Sequence, residues 1–208
     1  DPHAELPRLA ALRAFGILDT PHEVEFDRLA KLAAELCDTP MAAISMVDEY
    51  RLWFKATYGL SMSEMDLSVA FCTQGIRQAG FYQVPDAQID PKYKSNPLVS
   101  GGPMLRFYAG YPLRTQGGQV LGMLAVLDRQ PRTLTPKQRE QLETLSVQAM
   151  ITLELRRRQL MLQQALGEQA HGHAVLQQLG ADVARLGYWQ LDSPAGDIRW
   201  TEEALAVL

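Results

Sequence analysis

Hydrophobic positions along the chain follow two different spacings, and each spacing predicts one kind of secondary structure. Apolar residues recur every three or four positions over 6–15, 22–37 and 136–153, which predicts three helices that each bury one face. The first helix is expected to end at Gly16, and the third continues towards Leu166. Between the second and third helices lies a segment with the shorter spacing that is typical of strands.

Two short motifs predict where the second and third helices begin. Thr20 is followed by Glu23, and Thr135 is followed by Gln138. In such a capping box, the cap hydroxyl accepts from the third backbone N–H of the helix, while the acidic or amide side chain accepts from the backbone N–H of the cap. A proline follows each threonine, as is favourable at the first helical position. We therefore expect Thr20 and Thr135 to be N-caps.

Strand-like spacing fills the middle of the chain. Residues 41–47 are apolar almost throughout, which is typical of a central strand that is covered on both faces, and residues 51–57 alternate between two faces. Runs 106–114 and 120–128 are joined by a glycine turn, while 86–103 is expected to be a long loop. A helix is expected from Val69 to about Ala79, with Ser68 as its N-cap. The predicted fold class is α+β, with helices on one face of an antiparallel sheet and a long C-terminal helix after it.

The last part of the chain predicts further elements. Another apolar stripe over 174–186 indicates a helix, and Gly167 and Gly172 are the expected place for a bend. Residues 187–200 then indicate a strand, a glycine turn and a second strand, followed by the start of a helix. These elements are too few to complete a sheet, so we expect only the opening part of a second domain.

Composition and charge narrow the possible functions. The 208 residues are 47% hydrophobic and 21% charged, as in soluble globular proteins, and the net charge of −4 offers no basic surface for nucleic acid. No apolar run reaches the roughly 18 residues that a membrane span requires. Cys37 and Cys72 form neither a disulfide framework nor a zinc motif, which favours a reducing cytoplasm. The sequence starts without Met, so we expect a fragment of a longer cytoplasmic protein.

Short motifs in the predicted strands and loops resemble one known family. The strand pair contains YAGYPL at 108–113 and GMLAVLD at 122–128, and FCTQGI stands upstream at 71–76. In this order the motifs resemble the GAF domain family, in the branch found in bacterial histidine kinases and diguanylate cyclases. The resemblance covers about residues 5–155. It implies a sensory or regulatory domain that is not itself an enzyme and that controls an output domain elsewhere in the same protein.

A second resemblance concerns the residues that follow. GYWQLD at 187–192 and GDIRWTEE at 196–203 are similar to the opening of a PAS domain, so 187–208 is expected to be the incomplete start of one. The segment 156–186 resembles the helices that join sensor modules, and its leucine spacing predicts a parallel homodimeric coiled coil that relays a signal. The dimer is expected along residues 142–166, and its helix positions are Leu142, Leu145, Ala149, Leu153 and Leu160. The first four of these are also expected to pack the first half of the helix on the sheet. Leu153 and Leu160 are one heptad apart, as are Leu155 and Leu162.

The GAF resemblance also implies a pocket between the sheet and the helices that cover one of its faces. Aromatic side chains would stack on a small organic ligand, and an arginine would bind an anion. The alternative is that the phenylalanines are ordinary core residues and that Arg106 lies on the surface. The candidate pocket residues are Trp53, Phe71, Cys72, Gln74, Asp86, Arg106, Phe107 and Tyr108. The family's N-K-x-x-x-F-x-x-x-D-E cyclic-nucleotide motif is absent, and no bilin, haem or metal motif indicates a cofactor, so the ligand is unidentified.

Cys72 has three possible roles. Covalent chemistry needs a nearby base, but Thr73 follows the cysteine where bilin-binding relatives have His, and Gln74 stands where the resembled branch usually has His. A redox role needs a lowered thiol pKa, which a helix N-terminus favours. The sequence favours the third role, a small residue in the pocket wall, because a free cysteine usually behaves as a small hydrophobe. Three functions of the whole chain therefore stay open: a ligand sensor, a Cys-dependent redox sensor or reductase, and a ligand-free dimerisation spacer.

Overall fold

The computed structural model describes the backbone of residues 2–185, 189–192 and 197–200, with side chains described over 5–168 and at Val175. The helices are α1 (Pro2–Ala14), α2 (Val24–Cys37), α3 (Cys72–Gly75), α4 (Pro97–Ser100) and α5 (Pro136–Arg185). The strands are β1 (Met41–Val47), β2 (Arg51–Tyr58), β3 (Glu64–Asp66), β4 (Tyr82–Val84), β5 (Phe107–Arg114), β6 (Val120–Asp128), β7 (Trp189–Asp192) and β8 (Asp197–Trp200).

Two compact units divide the chain, Asp1–Arg157 and Arg158–Leu208. In the second unit, β7 and β8 form the antiparallel hairpin that the sequence predicted, with Trp189 opposite Trp200. The helix expected after this hairpin lies outside the described residues. The bend expected at the two linker glycines is wrong, because α5 continues as one 50-residue helix through both of them. A single glycine costs a helix only about 1 kcal/mol relative to alanine, which does not force an interruption.

A single six-stranded antiparallel sheet forms the centre of the first unit, in the order β3-β2-β1-β6-β5-β4. β1 is buried along its whole length and pairs with β2 on one side and β6 on the other. Its unbroken apolar sequence is explained by this central position, because both of its faces are covered. The four main strands predicted from the sequence therefore lie in one sheet, and the α+β prediction is confirmed.

Helices α1, α2 and the first part of α5 pack together on one face of the sheet. Phe26 of α2, Leu12 of α1 and Leu142 of α5 are fully buried in the same core cluster. The predicted arrangement, with the second and third helices on the same face, is confirmed. This face forms the larger apolar core of the domain because each amphipathic helix contributes one continuous stripe.

A mostly irregular segment over 59–106 covers the other face of the sheet. The helix predicted from Val69 to Ala79 is wrong, because the segment forms a 3-10 turn at Leu67–Val69 and the four-residue α3. Gly75 in α3 approaches the sheet so closely that a Cβ there would lie 2.7 Å from the Met123 methyl carbon. Short turns, rather than a longer helix, let the chain follow the sheet at this distance.

The two predicted capping boxes have different outcomes. The Thr135 N–H donates to Gln138 Oε1 at 3.0 Å, and the Gln138 N–H donates to Thr135 Oγ1 at 3.3 Å, so this box is confirmed. The Thr20 box is wrong, because α2 begins only after Glu23. The Thr20 hydroxyl donates instead to a carbonyl of the preceding turn at 2.7 Å, and the Glu23 carboxylate bonds to Lys55.

Two glycines in the strands mark places where neighbouring backbones lie unusually close. A Cβ at Gly122 would lie 1.7 Å from the carbonyl oxygen of Ser45, next to the point where the pairing of β1 with β2 shifts in register. A Cβ at Gly110 would lie 2.7 Å from the carbonyl oxygen of Leu124. Both strands therefore need glycine there to keep their place in the sheet.

Candidate functional site

A small cavity lies between the sheet and the irregular segment that covers its second face. Its volume is about 40 Å³, and its walls consist mainly of methionine, leucine, alanine and phenylalanine side chains. Met62, Met65 and Leu98 line it from the irregular segment, and Phe54 and Tyr108 line it from the sheet. The cavity therefore lies on the face of the sheet opposite to α1, α2 and α5, so the expectation of a pocket beneath the helices is corrected. It is also much smaller than a site for a drug-sized ligand.

Tyr108 provides an unpaired hydroxyl group beside this cavity. Its side chain is buried, and its hydroxyl has no hydrogen-bond partner among the residues that the structure describes. Burial raises the pKa of Tyr108 well above its ordinary value, so the hydroxyl is a proton donor at neutral pH. A buried hydroxyl without a partner costs about 1–3 kcal/mol of stability.

Other aromatic side chains hold Tyr108 in place. The Phe71 ring stacks on Tyr93 with 4.3 Å between ring centroids and lies 5.5 Å from the ring of Tyr108. The hydroxyls of Tyr82 and Tyr93 form a hydrogen bond of 2.6 Å with each other. The hydroxyls of this cluster are thus satisfied internally except at Tyr108.

Cys72 lines the cavity from the beginning of α3. Burial raises the pKa of its thiol to about 12, which overrides any lowering by the short helix. Cys37 is buried in the core cluster on the other face of the sheet, where burial raises the pKa of its thiol to about 11. Both thiols are therefore protonated at neutral pH, and the sheet separates them.

Two of the candidate pocket residues, Trp53 and Phe107, lie on the face of the sheet opposite to the cavity. Both belong to the core cluster that α2 and α5 cover. Their neighbours Phe54 and Tyr108 line the cavity instead. Successive side chains of a strand point to opposite faces, so the two residues of each neighbouring pair cannot both reach one pocket.

The polar candidates also do not line the cavity. Arg106 Nε donates to Asp86 Oδ1 at 3.0 Å, and this pair forms a part-buried salt bridge. The hydrogen bond from Arg106 holds the pKa of Asp86 below its ordinary value. Asp86 also accepts from the backbone N–H of Gln88 at 3.1 Å, as is usual for an aspartate in a turn. Gln74 is half-buried in α3 without lining the cavity, so the anion site expected at Arg106 is not formed.

A buried ion cluster that the sequence reasoning missed lies on the opposite face of the sheet. The side chain of Lys55 in β2 is completely buried, and its Nζ donates to Glu23 Oε1 at 2.7 Å and to Thr20 Oγ1 at 3.0 Å. The same Glu23 oxygen accepts from Arg156 Nε of α5 at 2.8 Å. One carboxylate therefore ties β2, the start of α2 and α5 together. The sequence contained one signal for this cluster. Lys55 lies two residues after the apolar Trp53 in the same strand, so both side chains point to the same face of the sheet.

Most of the predicted dimer positions of α5 are buried within the domain. Four of the five side chains are buried in the core against the sheet, namely Leu142, Leu145, Ala149 and Leu153. Their expected packing on the sheet is confirmed, and their use as dimer positions is corrected because they are already covered. Leu160 is half-buried. Within the first unit, the opposite side of the helix carries three exposed apolar side chains, Val147, Ile151 and Leu155. Their spacing of four residues places them on one face.

Comparison with known proteins assigns the fold. The family model described as the GAF domain matches residues 21–153, and the chain belongs to this family. GAF domains are typical of signalling sensors, and the fold described above is a GAF fold. In the described part of the chain, no group of three or more His, Cys, Asp or Glu residues is placed to hold a metal ion. None of the described helices combines the length and the hydrophobicity needed to cross a membrane.

One curated relative is a cyclic di-GMP phosphodiesterase of Pseudomonas aeruginosa, which is 39% identical over 131 residues. The match covers 63% of this chain, and the chain spans 22% of the length of that relative. Among solved structures, the GAF domain of a phosphoenolpyruvate-protein phosphotransferase from Coxiella burnetii has a TM-score of 0.56 at 16% identity, covering 74% of this chain and 95% of that one. Free methionine-R-sulfoxide reductase from Neisseria meningitidis has a TM-score of 0.53 at 17% identity, covering 76% and 93%. These two likenesses concern the fold alone.

Proposed function

We propose that this chain is the sensory part of a cytoplasmic bacterial signalling protein and that it controls an output domain in the same polypeptide. The cavity beside Tyr108 carries the proposal, because a domain that only had to fold gains nothing from a buried hydroxyl without a partner. Departures from good packing and pairing of this kind are expected at functional sites. The chain itself has no catalytic role in this proposal.

The output domain is proposed from the relatives. The identity with the cyclic di-GMP phosphodiesterase supports an output in the turnover of that nucleotide. A histidine kinase or a diguanylate cyclase is the alternative that the sequence motifs favour. The residues over 187–208 would then begin a PAS module between the GAF domain and the output, and the hairpin of β7 and β8 is compatible with that role.

The proposed mode of action includes a parallel homodimer along α5. Val147, Ile151 and Leu155 are exposed apolar residues at consecutive turns of the helix, and a second copy of the chain would bury them. A shift between the two helices would carry the state of the cavity to the output domain, because packed helix interfaces have discrete arrangements. Leu162 and Leu166, in the second unit, are also exposed apolar residues of this helix.

The two rival functions have different support. A Cys-dependent reductase or redox sensor is disfavoured because the raised pKa of Cys72 keeps the thiol protonated and Cys37 lies across the sheet. A ligand-free dimerisation spacer is favoured by one observation, the small volume of the cavity. Sensor and spacer differ in whether a small molecule binds.

Native mass spectrometry of the purified chain tests the proposal, because one spectrum shows both the number of chains and any bound small molecule. We expect a complex of two 23.2 kDa chains, and the additional mass of a bound small molecule would favour the sensor over the spacer. The double variant Ile151→Glu with Leu155→Glu should become monomeric. The matched control, Gln88→Glu with Gln130→Glu, adds the same charge at exposed polar positions outside α5 and should remain dimeric. A monomeric wild-type chain, or a dimeric double variant, would contradict the proposed dimer.

A further inference from the structure

A second recess of the first unit lies at one end of the sheet, and it shares no lining residue with the cavity. It is an open groove of about 610 Å³ between α1, α3, the end of β1 and the turn that joins β5 to β6. Three arginines line it, namely Arg8, Arg77 and Arg114, together with one acidic side chain, Glu5. We propose that this groove binds a small organic anion whose carboxylate or phosphate group lies between Arg77 and Arg114. The inference goes beyond the proposed function, because it assigns a separate site.

The acidic side chain of the groove is already neutralised. Arg8 is buried, with 7% of its side chain exposed, and its Nε donates to the Glu5 carboxylate at 3.0 Å. Its Nη1 donates to the carbonyl oxygen of Val47 at 2.6 Å. The hydrogen bonds from Arg8 lower the pKa of Glu5, so the carboxylate is ionised at neutral pH and cancels the charge of Arg8. The charges of Arg77 and Arg114 therefore remain without a counter-charge among the described residues that line the groove.

Arg114 is held in place by backbone carbonyl groups rather than by an acid. It ends β5, and its Nη1 donates to the carbonyl oxygen of Gly118 at 3.0 Å. Its Nη2 lies 3.4 Å from the carbonyl oxygens of Gln78 and Ala79, the two residues that follow Arg77. A guanidinium group has five N–H donors, so these contacts leave some of them unused beside Arg77. An arginine that is positioned before binding loses less side-chain entropy when it binds an anion.

Arg77 brings a second positive charge to the same place. It lies just after α3, it is exposed, and it forms no ion pair among the described residues. Like charges that lie side by side repel each other, and an anion between them converts this repulsion into attraction. Guanidinium groups bind carboxylates and phosphates through paired, charge-assisted hydrogen bonds. The two arginines therefore define where the anionic group of the ligand lies.

The rest of the groove favours an organic anion over an inorganic one. Leu67 and Ile76 line the groove and are half-buried, so apolar surface remains exposed beside the arginines. An apolar group on the ligand removes this surface from water, which is favourable. The volume also lies within the range of about 300–1,000 Å³ that is usual for small-molecule sites. An aromatic or short aliphatic carboxylate or phosphate meets both conditions.

Phenyl phosphate, phenylacetate, inorganic phosphate and benzyl alcohol are probes that separate the two parts of this ligand. The full chain is isotopically labelled, and NMR follows the backbone amide signals of Thr73, Gly118 and Gln119, which line the groove. We expect saturable shifts with at least one of the two organic anions, and the tighter of them identifies the anionic group. Inorganic phosphate should require roughly tenfold higher concentration, because it covers no apolar surface. Neutral benzyl alcohol should leave the three signals unchanged.

Arg77→Gln and Arg114→Gln test the two arginines with the tighter organic anion. Each should weaken binding roughly three- to tenfold, since each removes a charge-assisted contact in a partly solvated site. Arg129→Gln is the matched control, because Arg129 is an exposed arginine outside the groove that also donates to a backbone carbonyl, at 3.0 Å. It changes the net charge by the same amount and should leave the affinity unchanged. Arg77→Gln keeps the test valid if Arg114→Gln does not fold, because Arg77 has no described ion pair to lose.

The inference is overturned if neither organic anion gives a saturable shift, or if benzyl alcohol shifts the same signals equally. Inorganic phosphate binding as tightly as the organic anions would also overturn it. So would wild-type affinity in both groove variants, or equal weakening by Arg129→Gln and Arg77→Gln. These outcomes involve neither the cavity nor the dimer along α5, so this inference and the proposed sensory function can fail independently.

Discussion

Lys55 and Arg156 share one carboxylate oxygen, Oε1 of Glu23, at 2.7 Å and 2.8 Å. Lys55 follows Phe54 in β2, and Phe54 lines the cavity on the other face of the sheet. Arg156 stands in α5 near the end of the first unit. A displacement of β2 at the cavity would therefore reach α5 through two hydrogen bonds to one carboxylate, which is a short physical route from the cavity to the long helix.

Removal of the shared carboxylate should destabilise the domain. Glu23→Ala leaves the ammonium group of Lys55 buried without its counter-charge, and we expect a loss of about 2–4 kcal/mol in the free energy of unfolding. Urea denaturation followed by circular dichroism measures it. Glu25→Ala is the matched control, because Glu25 is an exposed glutamate in the first turn of the same helix, and its effect should stay within about 0.5 kcal/mol. Equal effects of the two substitutions would contradict the prediction.

The same cluster predicts a pH dependence in acid. Partial burial tends to raise the pKa of Glu23, but the hydrogen bonds from Lys55 and Arg156 outweigh it and hold the pKa below the ordinary value of 4.5. The carboxylate therefore contributes its full stability above pH 4.5 and loses it as the pH falls through the lowered pKa. The stability difference between wild type and Glu23→Gln should be constant near neutral pH and shrink below pH 4.5 in urea titrations at stepped pH. A difference that grows in acid would show the opposite linkage.

Tyr108→Phe should stabilise the chain in the absence of ligand. The substitution removes a buried hydroxyl that has no partner among the described residues and keeps the ring that packs on Phe71. We expect a gain of about 1–2 kcal/mol in the free energy of unfolding, measured by urea denaturation. The control Tyr82→Phe removes one side of the hydrogen bond to Tyr93 and should cost about 1 kcal/mol. Destabilisation by Tyr108→Phe would mean that the hydroxyl is paired in solution.

Gly122→Ala should be among the most destabilising substitutions of the sheet. The new Cβ would lie 1.7 Å from the carbonyl oxygen of Ser45. This oxygen belongs to the backbone of β1, so it can move away only if the strand itself moves. We expect a loss of about 3 kcal/mol or more, or no soluble protein. Gly117→Ala is the control, since the nearest atom to its Cβ is Thr115 Oγ1 at 3.8 Å. Thermal unfolding of the two variants makes the comparison, and similar melting temperatures would contradict the prediction.

Cys72 should be almost inert towards thiol reagents in the folded chain. Burial raises the pKa of its thiol from 9.0 to about 12, so the thiolate fraction falls on the order of a thousandfold below that of an exposed cysteine. The variant Cys37→Ser isolates Cys72, and its rate of alkylation by iodoacetamide is compared with and without urea. We expect reaction only in the unfolded chain. Rapid labelling under native conditions would support the redox alternative.

Helices and strands were predictable because their signals are local. The buried face of α5 and the apolar run of β1 follow directly from spacings of about 3.6 and 2 residues. The capping box at Thr135 was predictable for the same reason, since all its partners lie within one helical turn. The box at Thr20 was not, because Glu23 is bound by Lys55, which is far away in the sequence.

Side-chain direction relative to the sheet required the folded structure. Trp53 and Phe107 resemble pocket residues in sequence, but the pleat turns them towards the helices and brings Phe54 and Tyr108 to the cavity. A shift of one residue in register reverses every assignment of this kind. The pairing of Arg106 with Asp86 also joins two different parts of the chain, and neither residue by itself indicates that the other will bind it.

The sequence alone determined that the chain contains amphipathic helices, an antiparallel sheet and the motifs of a GAF domain, because periodicity and short motifs are properties of neighbouring residues. Only the tertiary structure decided which surfaces are already covered. It buried Leu142 and Leu153 in the domain core and left Ile151 and Leu155 exposed for a partner. An apolar stripe indicates that one face of a helix must be buried. Which part of the protein covers that face depends on contacts between segments that are distant in the chain.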